Sequence, residues 1–335
     1  MHAWQISQFG IDSMEFVERP VHEPGPQDVV VKIHAVSFNY RDLLVVKGLY
    51  NPKMALPRIP CSDGAGEVVR VGERVRTWKP GDRVTGIFMQ NWLDGAPTPA
   101  KTKGALGGDV DGMLTELAVL HEDGLVRIPD HLSFAEASTL PCAAVTAWNA
   151  LAAARLMPGA TVLIQGTGGV SLFALQFARL AGHRVLGISS SDDKLERARK
   201  LGLDAGVNYR TTQDWDKWVL DQTNGEGVDL VVEVGGAGTL PVSLRAVRMG
   251  GHIAQIGVLS GPSNAVPLPL ILHKQVHIRG IYVGSRFDFE QMNHAIQFAR
   301  LRPVLEAHPW TQAPAWLHRM EDGSHFGKLV MRLDS

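Results

Sequence analysis

The sequence predicts a mixed α/β protein of two domains, the first rich in β-structure and the second built on a parallel sheet. Three observations carry this expectation. The chain has 335 residues, roughly twice the ~150 residues of a common domain. Residues 1 to about 125 hold short β-type runs, Val29–Ile33, Gly66–Val71 and Arg83–Ile87, set apart by Pro24-Gly25-Pro26 and Pro80-Gly81. From about 145 to 260, apolar strands alternate with amphipathic helices, the pattern of βαβ units.

In chain order the strands of the second region are Thr161–Gln165, Arg184–Ile188, Gly206–Asn208, Val228–Val234 and His252–Ile256, with helices near 169–181, 192–202, 213–223 and 239–248. After Pro262 the sequence turns irregular, with Pro267 and Pro269, before a strand-like Val276–Val283, a helix near 289–301 and a closing strand Lys328–Leu333. Composition excludes several jobs. Lys and Arg total 33 against 34 Asp and Glu, a net charge of -1, so no cationic excess is present to neutralise nucleic acid or an anionic membrane. The two cysteines, Cys61 and Cys142, make neither a disulfide framework nor a four-cysteine zinc site and suit a reducing compartment. The first ten residues lack the form of a signal peptide, and no uninterrupted apolar run approaches about 18 residues. A soluble, cytoplasmic protein is expected.

The sharpest local signal is Thr161-Val-Leu-Ile-Gln-Gly166-Thr-Gly168-Gly169-Val170-Ser171, a strand running through glycines straight into a helix. Glycines there allow a tight turn and let a pyrophosphate approach the helix N-terminus, where unpaired N–H groups and the helix dipole favour an anion. Ser171 stands where the fingerprint has its third glycine, which predicts a looser contact between helix and strand. The next strand should select the cofactor, because an acidic side chain at its end accepts from a ribose 2′-hydroxyl and repels a 2′-phosphate. It ends instead in Ser189-Ser190-Ser191, followed by Asp192, Asp193 and Lys194. Ser191 reads as a helix N-cap with the two aspartates in the first turn. Ser189, Ser190 and Lys194 then favour NADPH, with NADH possible.

The order and spacing of several further stretches resemble the medium-chain dehydrogenase/reductase superfamily, and within it the zinc-free, quinone oxidoreductase-like branch. They are Ala35-Val-Ser-Phe-Asn39-Tyr40-Arg41-Asp42, Pro60-Cys-Ser62-Asp63-Gly64-Ala-Gly66, Lys79-Pro-Gly-Asp-Arg-Val84, Leu140-Pro-Cys142-Ala-Ala-Val-Thr146-Ala-Trp148 and the glycine loop. The resemblance spans essentially the whole chain. It implies a GroES-like catalytic domain, 1–125 completed by 266–335, a Rossmann cofactor-binding domain, 126–265, and a substrate cleft where they meet. Zinc-containing members place Cys, His and Cys around the catalytic metal, and the corresponding positions here read Asn39, Ser62 and Cys142. A catalytic zinc needs about three protein donors, so no metal is expected. The region 90–112, where such enzymes carry structural zinc, has no cysteine. His273 and His277 have metal-like spacing, but the apolar run through them reads as a helix end entering a strand.

By the same resemblance Thr146 lies near the nicotinamide, Tyr209 and Arg210 near the adenosine end, and Gly235-Gly236 with Ile256-Gly257-Val258 along the cleft. Arg286 is implied as a phosphate contact, and Lys328 lies in a segment folded over the cofactor. Without a Lewis acid an ordinary ketone is hard to reduce, whereas a quinone or α,β-unsaturated carbonyl spreads the incoming charge so that hydrogen bonds can hold it. Candidate donors are Asn39, Tyr40, Arg41 and Tyr50, although an Arg41–Asp42 structural pair and packing tyrosines are the plainer alternative. Cys61 and Cys142 read as buried hydrophobes without an adjacent base. The expected activity is an NADPH-dependent, zinc-independent reduction of quinones or enones. Alternatives are a metal-free alcohol or aldehyde dehydrogenase, an enoyl-thioester reductase, and an NADPH-binding structural or regulatory protein without turnover. Trp92 and Tyr282 suggest a flat apolar substrate, and the family's habit of pairing sheet edges predicts a homodimer.

Overall fold

The computed structural model describes residues 1–261 and 265–333; Pro262, where the sequence turns irregular, lies outside them. The chain divides into a unit formed by Met1–Val145 with Val283–Ser335 and a second unit, Thr146–Tyr282. Both divisions lie some twenty residues past the expected domain boundaries. The reasons are local. The segment after 125 supplies the short helix Phe134–Ala137, capped by Ser133, which packs on the first unit's long strand. The segment after 266 supplies the helix Leu268–Lys274 and the strand His277–Gly280, which pairs with the second unit's sheet.

In the first unit the 11-residue strand Asp28–Phe38 organises a seven-stranded sheet. Its β-branched Val29, Val31 and Ile33 are fully buried, as residues favoured on a pleated, covered surface should be. Asp63–Val71 runs antiparallel along nearly its whole length, while Leu117–His121 pairs with Asp28–Lys32. The closing strand Lys328–Arg332 pairs antiparallel with residues 35–38. That last pairing carries the C-terminal segment to the end of the long strand, beside Asn39.

The second unit is a six-stranded parallel sheet. Its spatial order is Ala205–Asn208, Arg184–Ser189, Thr161–Gln165, Val228–Glu233, Val247–Gln255 and His277–Gly280. The chain starts in the middle, winds to one side and then to the other, so the order reverses beside Thr161–Gln165. Such a switch point opens a crevice at the carboxyl ends of the strands. Gly166 to Gly169 lie there, leading into the helix Gly169–Leu180. The edge strand His277–Gly280 has all four residues exposed.

Several elements differ from the sequence expectation. The helix Tyr40–Val46, the hairpin of His2–Ile6 with Met14–Glu18, the strand Leu305–Pro309 and the helix Ala313–Glu321 were not expected. The strand expected at His252–Ile256 starts five residues earlier, at Val247, because Gly250 takes a left-handed φ of 68° inside it and breaks the apolar run without breaking the strand.

Gly66 marks where two strands come too close for a side chain: a Cβ there would lie 2.0 Å from the Lys32 carbonyl oxygen. Gly66→Ala should therefore destabilise the protein by about 3 kcal/mol or more, read from the shift in the urea midpoint. A loss under about 1 kcal/mol would contradict this packing.

Candidate active site

The helix Tyr40–Val46 is short, and Asp42 in its first turn sets its start. The Asn39 N–H donates to Asp42 Oδ2 at 2.8 Å and the Ser62 N–H donates to Oδ1 at 3.2 Å, so one carboxylate clamps two distant segments. Asp42, Ser62 and Asp63 are completely buried. The Ser62 hydroxyl donates to Asp63 Oδ1 at 2.6 Å, and the Cys142 N–H, in a π-type turn spanning Leu140–Ala144, donates to Asp63 Oδ2 at 3.1 Å. Lys328 enters this cluster from the closing strand. Its ammonium donates to the Phe38 carbonyl at 2.6 Å and to Asn39 Oδ1 at 2.5 Å, and stands 4.0 Å from Asp63 Oδ2. Lysine offers no acceptor, so the Asn39 amide must turn its oxygen to Lys328. Its Nδ2 then faces Ser62 Oγ at a long 3.5 Å.

Burial pushes the Asp63 carboxyl above its ordinary range, with Asp42 adding to the rise and Lys328, Ser62 and Asn39 pulling it back. Burial likewise pushes both thiols up, helped by Asp42 at Cys61 and by Asp63 at Cys142. Raising a thiol pKa keeps it protonated at neutral pH and non-nucleophilic. Cys61 has a further structural burden. It sits at a left-handed φ of 74°, and a Cβ at Gly112 would lie 2.2 Å from its carbonyl oxygen.

Asn39 is thus in the cluster, and Arg41 borders it. Its guanidinium pairs with Asp42 at 3.3 Å, donates to the Leu106 carbonyl at 2.7 Å and lies between the rings of Tyr50 and Phe88, 5.1 and 5.0 Å from their centroids. The structural Arg41–Asp42 pair raised by the sequence is therefore present. Tyr40 and Tyr50 remain accessible, at 37% and 39% exposure. Arg286 opens the helix Arg286–Ala299, donates to Glu290 at 2.8 Å and to the Asp123 carbonyl at 3.2 Å. Trp92 is core, its indole N–H bonded to the Gly95 carbonyl, while Tyr282 is exposed.

The glycine-rich turn lies in the second unit. A Cβ at Gly166 or Gly168 would meet nothing within 4 Å, so open space faces both glycines at the start of a 12-residue helix. Gly166 also has φ 71°, a conformation glycine adopts at no steric cost. Gly169 and Val170 form the first helical turn, whose N–H groups point out of the helix end. The expected looseness at Ser171 is not found: its hydroxyl donates to the Gln165 carbonyl at 2.6 Å and ties helix to strand. Ser189 closes the second strand. Ser191 caps the next helix by accepting from the Lys194 N–H at 3.3 Å, with Asp192 and Asp193 in the first turn. Ser190 and Lys194 are half-buried beside it. Tyr209 and Arg210 follow the third strand and are exposed. Thr146 is buried in the helix Val145–Ala154.

Sequence reasoning missed Glu233. It is fully buried at the end of the fourth strand, where Oε1 accepts from the N–H groups of Gly235 and Gly236, both at 2.9 Å, and from Thr239. Its Oε2 accepts from Gln165 Nε2 at 2.7 Å and from Ser243. This carboxylate fixes the Gly235-Gly236 loop against the first strand. A Cβ at Gly257 would lie 1.8 Å from the Val234 carbonyl oxygen, so the loop Ile256-Gly257-Val258 presses on the same segment. The available signal was an acidic residue ending an apolar strand directly before two glycines; for Lys328 it was a lysine opening the apolar run Leu329-Val330-Met331.

The alcohol dehydrogenase GroES-like domain family matches residues 25–130, and the zinc-binding dehydrogenase family matches 169–299. The zinc-type alcohol dehydrogenase-like protein C1773.06c of Schizosaccharomyces pombe is 43% identical, over 97% of this chain and 96% of its own. A solved NAD-dependent alcohol dehydrogenase superposes with TM-score 0.91 at 32% identity, covering 99% of this chain and 100% of that one. A quinone oxidoreductase of Pseudomonas syringae pv. Tomato DC3000 superposes with TM-score 0.84 at 27% identity, covering 99% of each. The zinc in the second family's description does not fit the donors present. Asn39 and Ser62 are weak ligands, and Asn39 Oδ1 already accepts from Lys328, which leaves Cys142 as the one strong donor of the three. Among the described residues, no group of three or more His, Cys, Asp or Glu is placed to share an ion; His277 stacks on His252.

The raised thiols give a direct check. Native protein treated with iodoacetamide at about pH 8, below the raised thiol pKa of Cys61, should show no alkylation of the buried Cys61 and only slow alkylation of the half-buried Cys142 by mass spectrometry, and unfolded protein should show both. Rapid native labelling of Cys61 would contradict the burial described.

Proposed function

This chain belongs to the medium-chain dehydrogenase/reductase superfamily, and from that membership we propose that it is an NADPH-dependent, zinc-independent oxidoreductase reducing quinones or α,β-unsaturated carbonyls. The observation that carries the reading is the donor set itself: an amide and a hydroxyl, Asn39 and Ser62, stand at two of the three positions where a metal site would need anionic or imidazole ligands, Cys142 alone keeps a strong donor, and the Lys328 ammonium already holds the Asn39 oxygen. The bound cofactor supplies a hydride. The protein must then hold the negative charge that develops on the acceptor. With Oδ1 held by Lys328, an acceptor oxygen takes a hydrogen bond from Asn39 Nδ2 in place of its long contact with Ser62 Oγ, and polarisation by the ammonium strengthens that donor. One such bond suits a delocalised enolate or hydroquinone anion better than a localised alkoxide. The exposed phenols of Tyr40 and Tyr50 are the proton sources on this chain, with water as the alternative.

On the cofactor side the open face before Gly166 and Gly168 accepts the pyrophosphate at the helix N-terminus. Glu233 holds the Gly235-Gly236 loop in one conformation, so little order has to be acquired on binding. Ser189, Ser190 and Lys194 meet a 2′-phosphate. A second reading, alcohol oxidation with NAD, is favoured by the similarity to a solved NAD-dependent alcohol dehydrogenase. Oxidation of nicotinamide cofactor across quinones, enones, aldehydes and saturated ketones, in the presence of chelator, separates the two. Turnover confined to quinones and enones supports the proposal. Turnover of aldehydes or saturated ketones alone favours the second reading, and tight cofactor binding without any turnover favours a regulatory role.

Cofactor choice depends on very few atoms. Ser189→Asp places a carboxylate at the strand end, where it bonds the free ribose hydroxyls of NADH and opposes the phosphate of NADPH. Each effect is on the order of 1–3 kcal/mol, so the NADPH/NADH ratio of kcat/KM should fall by roughly tenfold to a hundredfold or more. Wild-type preference for NADH, or an unchanged ratio in the variant, would mean that Asp192 or Asp193 binds the ribose.

A further inference from the structure

A buried lysine is expensive unless its charge is matched, and Lys328 is only 3% exposed. Its ammonium nevertheless points into the most polar buried cluster of the first unit, reaching the Phe38 carbonyl, Asn39 Oδ1 and, at 4.0 Å, Asp63. The cluster contains two carboxylates, Asp42 and Asp63, both fully buried. Arg41 pairs with the first and Lys328 with the second. The formal charges therefore cancel within the chain itself.

We propose that Lys328 is the fixed cation of this pocket, a positioning residue that neutralises Asp63, locks the Asn39 amide with Oδ1 on the ammonium and Nδ2 on the Ser62 side, and stands in place of a divalent metal. A divalent ion entering the cluster would add two positive charges to a balanced set or would have to expel the ammonium, so Lys328 also excludes it. The orientation of Asn39 follows from the same contact. Without the ammonium the amide oxygen loses its charged partner, and the orientation of Asn39 rests on its weaker contacts with the Asp42 N–H and with Ser62.

The test uses the whole chain and Lys328→Ala, which removes three methylenes and the ammonium, the shape of n-propylammonium. At about 100 mM, n-propylammonium should raise the Tm of Lys328→Ala by about 2 °C or more over the same concentration of tetramethylammonium, and should leave the wild type within about 0.5 °C. Absence of an amine-specific shift overturns the proposal. Wild-type protein dialysed against zinc and then buffer should retain less than about one tenth of an equivalent; near one equivalent overturns it. Should Lys328→Ala not fold, Lys328→Met supplies the variant and the zinc measurement on the wild type decides alone. The catalytic arm rests on the reductase reading above: enone kcat should fall at least about tenfold in Lys328→Ala, with the KM for NADPH unchanged, and should recover with n-propylammonium. A fall in kcat that the amine does not restore overturns the positioning role. If the wild type reduces no acceptor, the reductase reading fails while the Tm and zinc results still decide the role of Lys328.

Discussion

Two carboxylates are buried in one cluster of the first unit, and each has a cation beside it, Arg41 at Asp42 and Lys328 at Asp63. An uncompensated buried charge costs several kcal/mol, so Asp42 and Asp63 constrain what can surround them. Asp42 takes the N–H groups of Asn39 and Ser62 and the guanidinium of Arg41. Asp63 takes the Ser62 hydroxyl, the Cys142 N–H and the nearby Lys328 ammonium. Lys328 reaches that position only because the closing strand pairs with residues 35–38. The C-terminal strand is therefore a requirement of the pocket as well as of the sheet.

The second unit solves a related problem without a cation. Glu233 is as deeply buried as Asp63, but hydroxyls, an amide and backbone N–H groups surround its carboxylate, the N–H groups belonging to the Gly235-Gly236 loop. The carboxylate converts a flexible glycine pair into a fixed surface. Ser171 does similar work at the glycine loop, where its bond to the Gln165 carbonyl secures the helix that a third glycine would have let approach more closely.

The parallel sheet was legible because its strands are apolar runs bounded by glycine, and Thr161–Gln165 has the limits the sequence suggested. The helix Tyr40–Val46 was not. Its seven residues are too few for a clear helical period, and its start depends on contacts from residue 62. The same limit applies at the site. Asn39 was placed by resemblance to a family motif, but the engagement of Arg41 depends on Phe88 and Leu106, far away in the chain. Lys328 came from a segment whose family role concerned the cofactor, and only strand register shows it beside Asn39 and Asp63.

The central claim is that a pocket organised by Lys328 and Asn39, with no metal, supports hydride addition to a conjugated acceptor. Chelator-treated protein supplied with NADPH deuterated on its transferring face and an α,β-unsaturated ketone tests this most directly. The account predicts one deuterium at the β-carbon of a saturated ketone product, seen by NMR. Deuterium at the carbonyl carbon, or transfer that appears only when zinc is restored, would contradict it.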